Sequence, residues 1–421
     1  MIPITPQCSR KALQRQHDLQ LLASTTRQQQ EPYFLADGRC YYPIVQQLTH
    51  DHQSKRRLYR PSRCYVCQNH FWQVHEFYHL LCPQCAEDNY TQRRASADLS
   101  GRIALVTGGR IKIGFETALK LLRAGATVHV TTRFPHDAAV RFAQQADYTK
   151  WAQRLMIHTL DLRALTAVEV FCDYLQQQLP YLDILINNAA QTIKKPDDYF
   201  AAMAMREHQY QQQALQQRLS QSNLHGFQDA AWQAQQEQWL AQSSANGMPL
   251  DEFAEPVDCA QSNSWGLTLG DCTTQELVET QVINAIAPFM LNSRLKPLLL
   301  RSPHQDRFII NVSAMEGQFN RKNKTIYHPH TNMAKASLNM MTRTAAPDYA
   351  REQIWMNSVD TGWVTQEHPL PKKNHQRKRG MVPPLDCVDG AARVLAPIWQ
   401  RLIGEAPVYG QFLKNYQLTD W

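Results

Sequence analysis

The stretch RIALVTGGRIKIGFETALKLL, residues 102–122, carries the clearest structural signal in this chain. The apolar run at 103–106 predicts a buried strand, and the spacing of apolar residues at 118–122 predicts an amphipathic helix. Glycines at 108, 109 and 114 lie in the turn between them, where the absence of a Cβ lets the backbone approach a ligand closely. The helix N-terminus offers free N–H groups and a positive dipole end to a phosphate. The stretch therefore predicts a unit that binds the pyrophosphate of a nucleotide cofactor.

Composition indicates an ordinary globular protein. The 421 residues are 43% hydrophobic and 19% charged, with a formal net charge of +7. That length allows one large α/β domain and a smaller unit. The mild positive charge suits an anionic cofactor, and by itself it does not indicate nucleic-acid binding. Basic clusters at 55–57 and 372–379 are typical of solvated loops.

The sequence predicts a cytoplasmic protein. It has no apolar run of the ~18 residues that a membrane span requires, and residues 1–18 lack the apolar segment of a secretory signal. Of its ten cysteines, four fall in a metal-binding pattern and six are scattered, which favours a reducing compartment over a disulfide framework.

Three regions follow one another along the chain. Residues 1–60 are a polar lead-in, partly helical or flexible, residues 61–95 hold a cysteine cluster, and residues 101–421 alternate strand and helix patterns. Such alternation predicts a parallel sheet covered by helices on both faces. The predicted strands are 103–106, 127–131, 156–160, 184–186, 308–312 and 354–359.

A glutamine-rich insertion interrupts this alternation at about 195–275. Its apolar residues Leu215, Leu219, Trp232 and Leu240 favour one face of a helical pair. Low-complexity disorder is the alternative, because glutamine runs need not pack.

Cys64 and Cys67 form one C-x-x-C pair, and Cys82 and Cys85 form a second pair after fourteen intervening residues. Two such knuckles complete a tetrahedral shell of four thiolates, which is typical of a structural zinc site. Iron in a rubredoxin-like site is an alternative, and the duplication of the motif argues against a redox pair. The role of this module stays open between a structural staple, a dimer contact and a nucleic-acid contact.

From residue 101 onward, a series of motifs resembles the short-chain dehydrogenase/reductase family. TGGRIKIG resembles the T-G-x-x-x-G-x-G turn, with Lys112 where the middle glycine is expected. LINNAA is similar to the family's N-N-A-G, and VINAIAPF to the helix that carries a catalytic asparagine. FIINVSAMEG resembles the strand of the catalytic serine, HTNMAKASLNMMTRTAA the Tyr-x-x-x-Lys helix, and NSVDTGWV the later N-x-V-x-P-G segment.

The resemblance implies a Rossmann-like, doubly wound parallel sheet that binds a nicotinamide dinucleotide. The residues implied for catalysis are Asn284, Ser313, Lys335 and the Thr331 position. The residues implied for cofactor binding are Thr107, Gly108, Gly109, Arg110, Lys112, Ile113, Gly114, Arg133, Asp161, Leu162, Asn188, Ala189, Ala190 and Lys335.

Two arginines favour NADP(H) over NAD(H). The segment VHVTTRF, at the end of the second strand, has no acidic residue to hold a ribose 2′-hydroxyl. Arg133 takes that place and Arg110 lies in the glycine turn, and a guanidinium suits a 2′-phosphate.

The proton-transfer residues depart from the family pattern. Thr331 stands where the tyrosine is expected, and Ala314 stands at the serine position, one residue after Ser313. An aliphatic hydroxyl is far less acidic than a phenol, whose ordinary pKa is ~10. Pro329 predicts a helix start near His330 and leaves Tyr327 on the preceding loop. His328, His330 and Tyr327 are therefore candidate proton donors.

Two functions are consistent with these residues. One is an NADP-dependent oxidoreductase that acts on a small molecule, for which the basic loop at 365–384 favours an anionic substrate. The other is a catalytically silent NADP(H)-binding sensor or scaffold that acts through its zinc module and insertion. A homo-oligomer is expected, and nucleic-acid contact through the basic residues beside the cysteines is an open alternative.

Overall fold

The computed structural model describes residues 10–25, 33–34, 40–41, 56–217, 221–224, 226–242, 250–321 and 324–421. The strands are β1 (Tyr33–Phe34), β2 (Cys40–Tyr41), β3 (Arg57–Arg63), β4 (His70–Gln73), β5 (Ile103–Thr107), β6 (Thr127–Thr132), β7 (Leu155–Thr159), β8 (Ile184–Asn187), β9 (Arg307–Ser313), β10 (Ile354–Asp360), β11 (Phe412–Lys414) and β12 (Gln417–Thr419). The α-helices are α1 (Arg10–Ala23), α2 (Pro83–Arg94), α3 (Lys112–Arg123), α4 (Pro135–Ala143), α5 (Leu165–Gln178), α6 (Asp197–Gln217), α7 (Ala230–Gln242), α8 (Thr274–Gln281), α9 (Ala287–Arg294), α10 (Lys296–Leu300), α11 (Pro329–Ala350), α12 (Leu370–Lys378) and α13 (Cys387–Leu402).

The main sheet has eight strands in the order β7-β6-β5-β8-β9-β10-β11-β12. Neighbours from β7 to β11 run parallel, and β12 pairs antiparallel with β11. Every residue of β5 and β10 is buried, as expected for strands with helices on both faces. The chain runs outward through β6 and β7 and returns to β8 on the other side of β5. This arrangement confirms the predicted doubly wound parallel sheet, and all six predicted strands are present.

Two strands of the main sheet, β11 and β12, were not predicted. β11 and β12 have three residues each, too few for a periodic pattern to show in the sequence. They extend the sheet beyond β10, where β11 pairs with the end of that strand from Ser358 to Asp360.

The predicted amphipathic helix after the glycine turn is α3, which buries Ala118, Leu119, Leu121 and Leu122 against the sheet. Helix α11 begins at Pro329, where proline is favoured because its missing N–H would have no partner in the first turn. This start leaves Tyr327 on the loop before the helix, as predicted.

The cysteine module consists of the β3–β4 hairpin followed by α2. Helix α1 packs beside it, and both carboxylate oxygens of Asp18 accept backbone N–H bonds from Tyr59 and Arg60, at 2.7 and 3.0 Å. The apolar core of the module also includes Val364 and Leu385 from the main domain. The module is therefore packed onto the main domain and shares a core with it.

The glutamine-rich insertion forms the helical pair α6 and α7, as the Trp and Leu spacing favoured. Trp232 is buried in a small apolar cluster with Tyr199, Phe200 and Met203. Leu240 is partly buried, whereas Leu219 and the side chain of Leu215 lie outside the described residues. Across the described ranges, no helix combines the length and apolar character needed to cross a membrane.

Candidate active site and cysteine centre

A cavity of about 880 Å³ opens along the carboxyl ends of the parallel strands. Its lining includes the glycine turn after β5, the segment after β8, and Thr331 and Lys335 on α11. It lies where the strand order reverses between β5 and β8, which is the usual ligand position in an open α/β sheet. The volume falls within the ~300–1,000 Å³ typical of cofactor and substrate pockets.

The glycine turn is tied to the segment after β8. The Thr107 hydroxyl oxygen accepts the backbone N–H groups of Asn188 and Ala189, each at 3.0 Å. A Cβ built on Gly114 would lie 2.2 Å from the Gly108 carbonyl oxygen and 2.4 Å from the Asn188 amide nitrogen. Gly108 also has a positive φ of 69°, which favours glycine. These two positions therefore leave no room for a side chain.

Most of the predicted cofactor residues lie in the wall of this cavity. Those in the wall are Gly108, Arg110, Lys112, Ile113, Gly114, Arg133, Asp161, Leu162, Asn188, Ala189, Ala190 and Lys335. Thr107 and Gly109 are outside the wall. Thr107 is a buried brace of the turn, and a Cβ on Gly109 would lie 2.7 Å from Val130 of β6.

Lys112, at the position where the family resemblance implies a glycine, has a backbone conformation that favours glycine. Its φ of 54° is left-handed, which costs a non-glycine residue roughly 1–2 kcal/mol. The ammonium lies 3.8 Å from Glu367 and 5.1 Å from the Phe253 ring centroid. Burial lowers the pKa of Lys112, but Glu367, Asp251 and other nearby acidic groups together raise it above its ordinary value, so the residue stays charged. Lys112 thus connects the turn to the loop after β10 and to the insertion.

The Arg110 guanidinium is already paired with two carboxylates of the protein. It is therefore not a free phosphate-binding group of the kind that the sequence suggested as one of two signals for NADP(H). Its guanidinium donates two bonds to Glu255 at 2.7 Å and one to Asp137 at 2.6 Å. Burial raises the pKa of Glu255, but Arg110, with Arg141 and Arg206, lowers it below its ordinary value, so this carboxylate stays ionised. Tyr199 also donates to Glu255 at 2.5 Å. The insertion therefore neutralises Arg110 and is anchored on the turn.

Arg133 has no ion-pair partner within the described part of the chain. Its guanidinium carbon lies 5.1 Å from the Phe200 ring centroid and 5.5 Å from that of Trp232. Arg163 stacks on the same two rings, but it pairs with Asp161 at 2.7 Å. Aromatic faces from the insertion thus hold two guanidinium groups in place, and only that of Arg133 lacks a carboxylate.

Lys335 and Thr331 lie in the cavity wall one helical turn apart on α11. The Lys335 ammonium donates a bond of 2.7 Å to the Val312 carbonyl oxygen. Burial lowers the pKa of Lys335 to about 8, although Glu316 opposes this change. The Thr331 hydroxyl is buried and has no hydrogen-bond partner among the described residues. The site thus pairs an ammonium that titrates near neutral pH with an unpartnered hydroxyl.

Ser313 and Asn284 are both buried and hydrogen-bonded to the protein. The Ser313 hydroxyl, in the cavity wall, donates to the Asn339 side-chain oxygen at 2.5 Å. Asn284 lies in a single π-helical turn, Val282–Ile286, outside the cavity wall. Its amide accepts from the Gln191 N–H at 2.7 Å and donates to the Gln191 carbonyl oxygen at 3.0 Å. Asn284 therefore fixes the segment after β8, which does line the cavity.

The candidate proton donors before Thr331 lie away from the cavity. His328 stacks on Trp265 at a centroid distance of 4.0 Å and bonds to Asn332 at 3.1 Å. His330 is buried with its Nε2 atom 3.5 Å from Glu276 on α8. Tyr327 is 45% exposed. None of the three lines the cavity, because His328 and His330 face other elements at the start of α11 and Tyr327 lies on the loop before it.

The four predicted cysteine ligands form one cluster, with their sulfur atoms all within 4.8 Å of one another. The Sγ atoms of Cys67 and Cys82 are 3.8 Å apart, close to the edge of a tetrahedron whose Zn–S bonds are ~2.3 Å. The Cys82 N–H donates to the Cys64 sulfur at 3.3 Å. Burial raises the pKa of the Cys85 thiol, so four thiolates here need a cation. The geometry and donor set fit a structural zinc ion.

Sequence patterns missed the contribution of the cysteine module and the insertion to the cavity. Tyr65 and Gln68 from the first knuckle, and Tyr199, Phe200 and Glu255 from the insertion, all lie in its wall. Burial and Asp360 raise the pKa of Tyr65 to about 12. No local pattern links these residues to the glycine turn, because the contacts depend on the packing of distant segments.

Comparison with known proteins gives the following similarities. Residues 102–245 match a family model described as short chain dehydrogenase, and residues 200–379 match one described as Enoyl-(Acyl carrier protein) reductase. Uncharacterized protein R665 of Acanthamoeba polyphaga mimivirus is 31% identical over 367 residues, which cover 82% of this chain and 72% of that protein. Retinol dehydrogenase 14 of Mus musculus is 36% identical over 100 residues, which cover 22% of this chain and 30% of that protein.

Two solved structures are similar to this chain at low identity. A complex of Pseudomonas aeruginosa RhlG with NADP is 19% identical, with a TM-score of 0.48, and the match covers 75% of this chain and 95% of that one. An NADPH-bound carbonyl reductase from chicken fatty liver is 17% identical, with a TM-score of 0.45, and the match covers 77% and 100% of the two chains.

Proposed function

The chain belongs to the short-chain dehydrogenase family, and on that premise we propose that it is an NADP(H)-dependent oxidoreductase that interconverts a carbonyl and an alcohol. The observation that carries the proposal is the single cavity that joins the glycine turn to Lys335 and Thr331. A nicotinamide cofactor supplies or accepts the hydride at the substrate carbon, and the protein must then handle one proton at the substrate oxygen.

Lys335 is the source of that proton in the direction of carbonyl reduction. Its pKa of about 8 lets the ammonium hold a proton at neutral pH and release it at a modest free-energy cost. The Thr331 hydroxyl is four residues earlier, so it shares a helix face with Lys335. Having no partner in the part of the chain that the structure describes, this hydroxyl accepts the proton from Lys335 as it donates its own to the substrate oxygen. Ser313 lies in the cavity wall at the end of β9, and Asn284 holds the segment after β8, which forms another part of the wall.

Arg133 selects the phosphorylated cofactor. It is the guanidinium at the end of β6 that carries no carboxylate partner, and its pKa, although lowered by burial, leaves it protonated at neutral pH. A 2′-phosphate would supply the missing charge partner. Arg110, which is already neutralised by Glu255 and Asp137, instead holds the insertion on the turn.

Binding and specificity are tested by fluorescence titration of the wild type and Arg133→Ala with NADPH and with NADH. We expect Arg133→Ala to raise the NADPH Kd about 10- to 100-fold and the NADH Kd much less. Arg123→Ala is the matched control, since Arg123 pairs with Asp147 and does not line the cavity. Equal losses for the two cofactors would contradict the role of Arg133.

A catalytically silent sensor is the second candidate function. It is favoured by the first turn of α11, which brings neither a phenol nor an imidazole to the cavity. Stopped-flow absorbance of NADPH against a panel of carbonyl compounds separates the two functions. Turnover that Lys335→Ala abolishes supports the enzyme. Tight NADPH binding without turnover on any compound supports the sensor.

The substrate that we propose is an anionic small molecule. Helix α12 borders the cavity through Gln376 and carries Lys372, Lys373, Arg377 and Lys378. We also propose a homo-oligomer in the cytoplasm, where the reducing environment would preserve the free thiols of the cysteine cluster. Nucleic-acid contact is the less favoured alternative for the basic surface.

A further inference from the structure

We propose that Tyr65, which lies between two of the four cysteines, is a positioning residue of the active site. Its hydroxyl donates a hydrogen bond to a carbonyl oxygen of the bound ligand, and the cysteine centre holds it in place to do so. The identity of this ligand, a carbonyl substrate or a nicotinamide cofactor, rests on the proposed function. The acceptor is the substrate carbonyl or the nicotinamide carboxamide, which share the same chemistry and are separated by the experiment below.

The Tyr65 hydroxyl lies over the carboxyl ends of β9 and β10. Its oxygen accepts the Trp363 N–H at 2.8 Å, and a Cβ built on Gly362 would lie 3.3 Å from it. Asp360, the last residue of β10, lies just before this segment and is in register with Ser313 at the end of β9. Tyr65 thus reaches the part of the sheet edge that carries the family's catalytic strand.

Tyr65 and Lys335 share that end of the cavity. Both line it, and the Lys335 ammonium donates to the Val312 carbonyl oxygen, one residue before Ser313 at the end of β9. Tyr65 therefore belongs to the proton-transfer end and not to the end formed by the glycine turn.

The hydroxyl has hydrogen-bonding capacity left for a ligand. Its oxygen accepts from Trp363, and within the described part of the chain no residue accepts its proton. A hydroxyl offers one donor and two acceptor positions, so the donor is available to a group inside the cavity. A hydrogen bond suffices for this role, and no proton is transferred to or from Tyr65.

The knuckle fixes the backbone of Tyr65 from both sides. Its N–H donates to the Leu80 carbonyl oxygen at 2.8 Å, and its carbonyl oxygen accepts from the Gln68 side chain at 2.7 Å. Metal ligation by Cys64 and Cys67 would lock this turn, since the two ligands flank Tyr65 closely.

The rest of the module is anchored independently of the metal. Tyr78 donates to Asp389 at 2.6 Å, Arg93 donates to Asp389 at 2.9 Å, and Arg393 donates to Asn89 at 2.7 Å. These buried contacts join α2 to α13. Loss of the metal is therefore expected to release the Tyr65 turn while α2 stays docked.

The test compares Tyr65→Phe with Tyr90→Phe in the full-length, zinc-loaded chain. Tyr90 packs in the core of the same module and does not line the cavity. Measured quantities are the zinc content, Tm, NADPH Kd by fluorescence, and kcat and KM for the best carbonyl substrate. A further readout is the rate at which a chromogenic chelator takes up zinc, with and without saturating NADPH and substrate.

We expect both variants to retain one zinc and a near-wild-type Tm. Tyr65→Phe should lose about tenfold in kcat/KM, the usual effect of one hydrogen bond, while Tyr90→Phe loses none. A weakened NADPH Kd assigns the bond to the carboxamide, and an unchanged Kd with impaired turnover assigns it to the substrate. Bound ligands should slow zinc release several-fold in the wild type and less in Tyr65→Phe, because linkage is reciprocal.

Wild-type kinetics, NADPH affinity and zinc-release protection in Tyr65→Phe would overturn the inference and leave the proposed function intact. If the wild type binds NADPH and turns over nothing, the proposed reaction is wrong. In that case a weaker NADPH Kd in Tyr65→Phe supports the inference, and an unchanged Kd overturns it. A wild type that does not bind NADPH overturns both.

Discussion

The two ends of the cavity are built in different ways. At the glycine-turn end the backbone decides the shape, since Gly108 and Gly114 leave no room for a Cβ and Thr107 braces the turn. At the proton-transfer end side chains decide the chemistry, and there Thr331 stands at the position where the sequence resemblance implies a tyrosine. A backbone site tolerates changes of neighbouring side chains, whereas a proton path depends on each hydroxyl and ammonium. A changed side chain is therefore expected to alter the chemistry of the proton-transfer end more than the shape of the turn end, where Lys112 stands in place of an expected glycine and has a left-handed φ.

The largest effect should come from Lys335→Ala at the proton-transfer end. We expect kcat to fall about 1,000-fold, because the loss of a general acid typically costs 10²- to 10⁴-fold. Lys120→Ala is a matched control, since burial also lowers the pKa of Lys120 to about 8 and that residue lies outside the cavity wall. The kcat values of the two variants are measured by steady-state kinetics with NADPH. Comparable activity in Lys335→Ala and Lys120→Ala would place the proton source elsewhere.

Gly114→Ala tests the turn end. Its Cβ would lie 2.2 Å from the Gly108 carbonyl oxygen, and overpacking of this kind costs roughly 1–3 kcal/mol. We expect the NADPH Kd to rise about 100-fold and Tm to fall. Gly270→Ala is the control, because no atom lies within 4 Å of its built Cβ. If fluorescence titration shows equal NADPH affinities in Gly114→Ala and Gly270→Ala, the lack of room for a Cβ at position 114 does not shape the cofactor site.

The sequence allowed the turn end to be predicted far better than the proton-transfer end. The glycine spacing and the strand before it fix Gly108, Gly114 and the Asn188 side of the turn through local backbone rules. The partner of Arg110 was not predictable, since Glu255 is 145 residues away. Neither was the position of Tyr65, because its approach depends on how the module packs on Val364 and Leu385.

The orientation of the first turn of α11 was also beyond the sequence. His330 is next to Thr331, yet it faces Glu276 while Thr331 faces the cavity. Successive side chains of an α-helix point about 100° apart, so the neighbours His330 and Thr331 do not both face the cavity. The sequence could rank His328 and His330 as acids but could not orient them.

A pH profile sharpens the comparison at the proton-transfer end. Burial lowers the pKa of Lys335 to about 8, and reduction needs its protonated form. We therefore expect kcat/KM for NADPH, which reports the free enzyme, to be constant below that pH and to fall as pH rises through it, approaching tenfold per unit. Alcohol oxidation needs the neutral amine and should show the opposite slope. A reduction rate that stays constant to pH 10 would exclude Lys335 as the acid.

Thr331→Val should give the smallest effect and separates catalysis from stability. Because the buried Thr331 hydroxyl has no partner within the described ranges, replacing it with a methyl group should leave Tm unchanged or raise it. If the hydroxyl relays the proton, kcat should still fall about fivefold to tenfold, since a direct transfer from Lys335 would follow a longer path. Thr331→Ser keeps the hydroxyl and should keep most of the activity. A Thr331→Val enzyme with full kcat would mean that Lys335 alone serves the substrate oxygen, and the departure from the family tyrosine would then be complete.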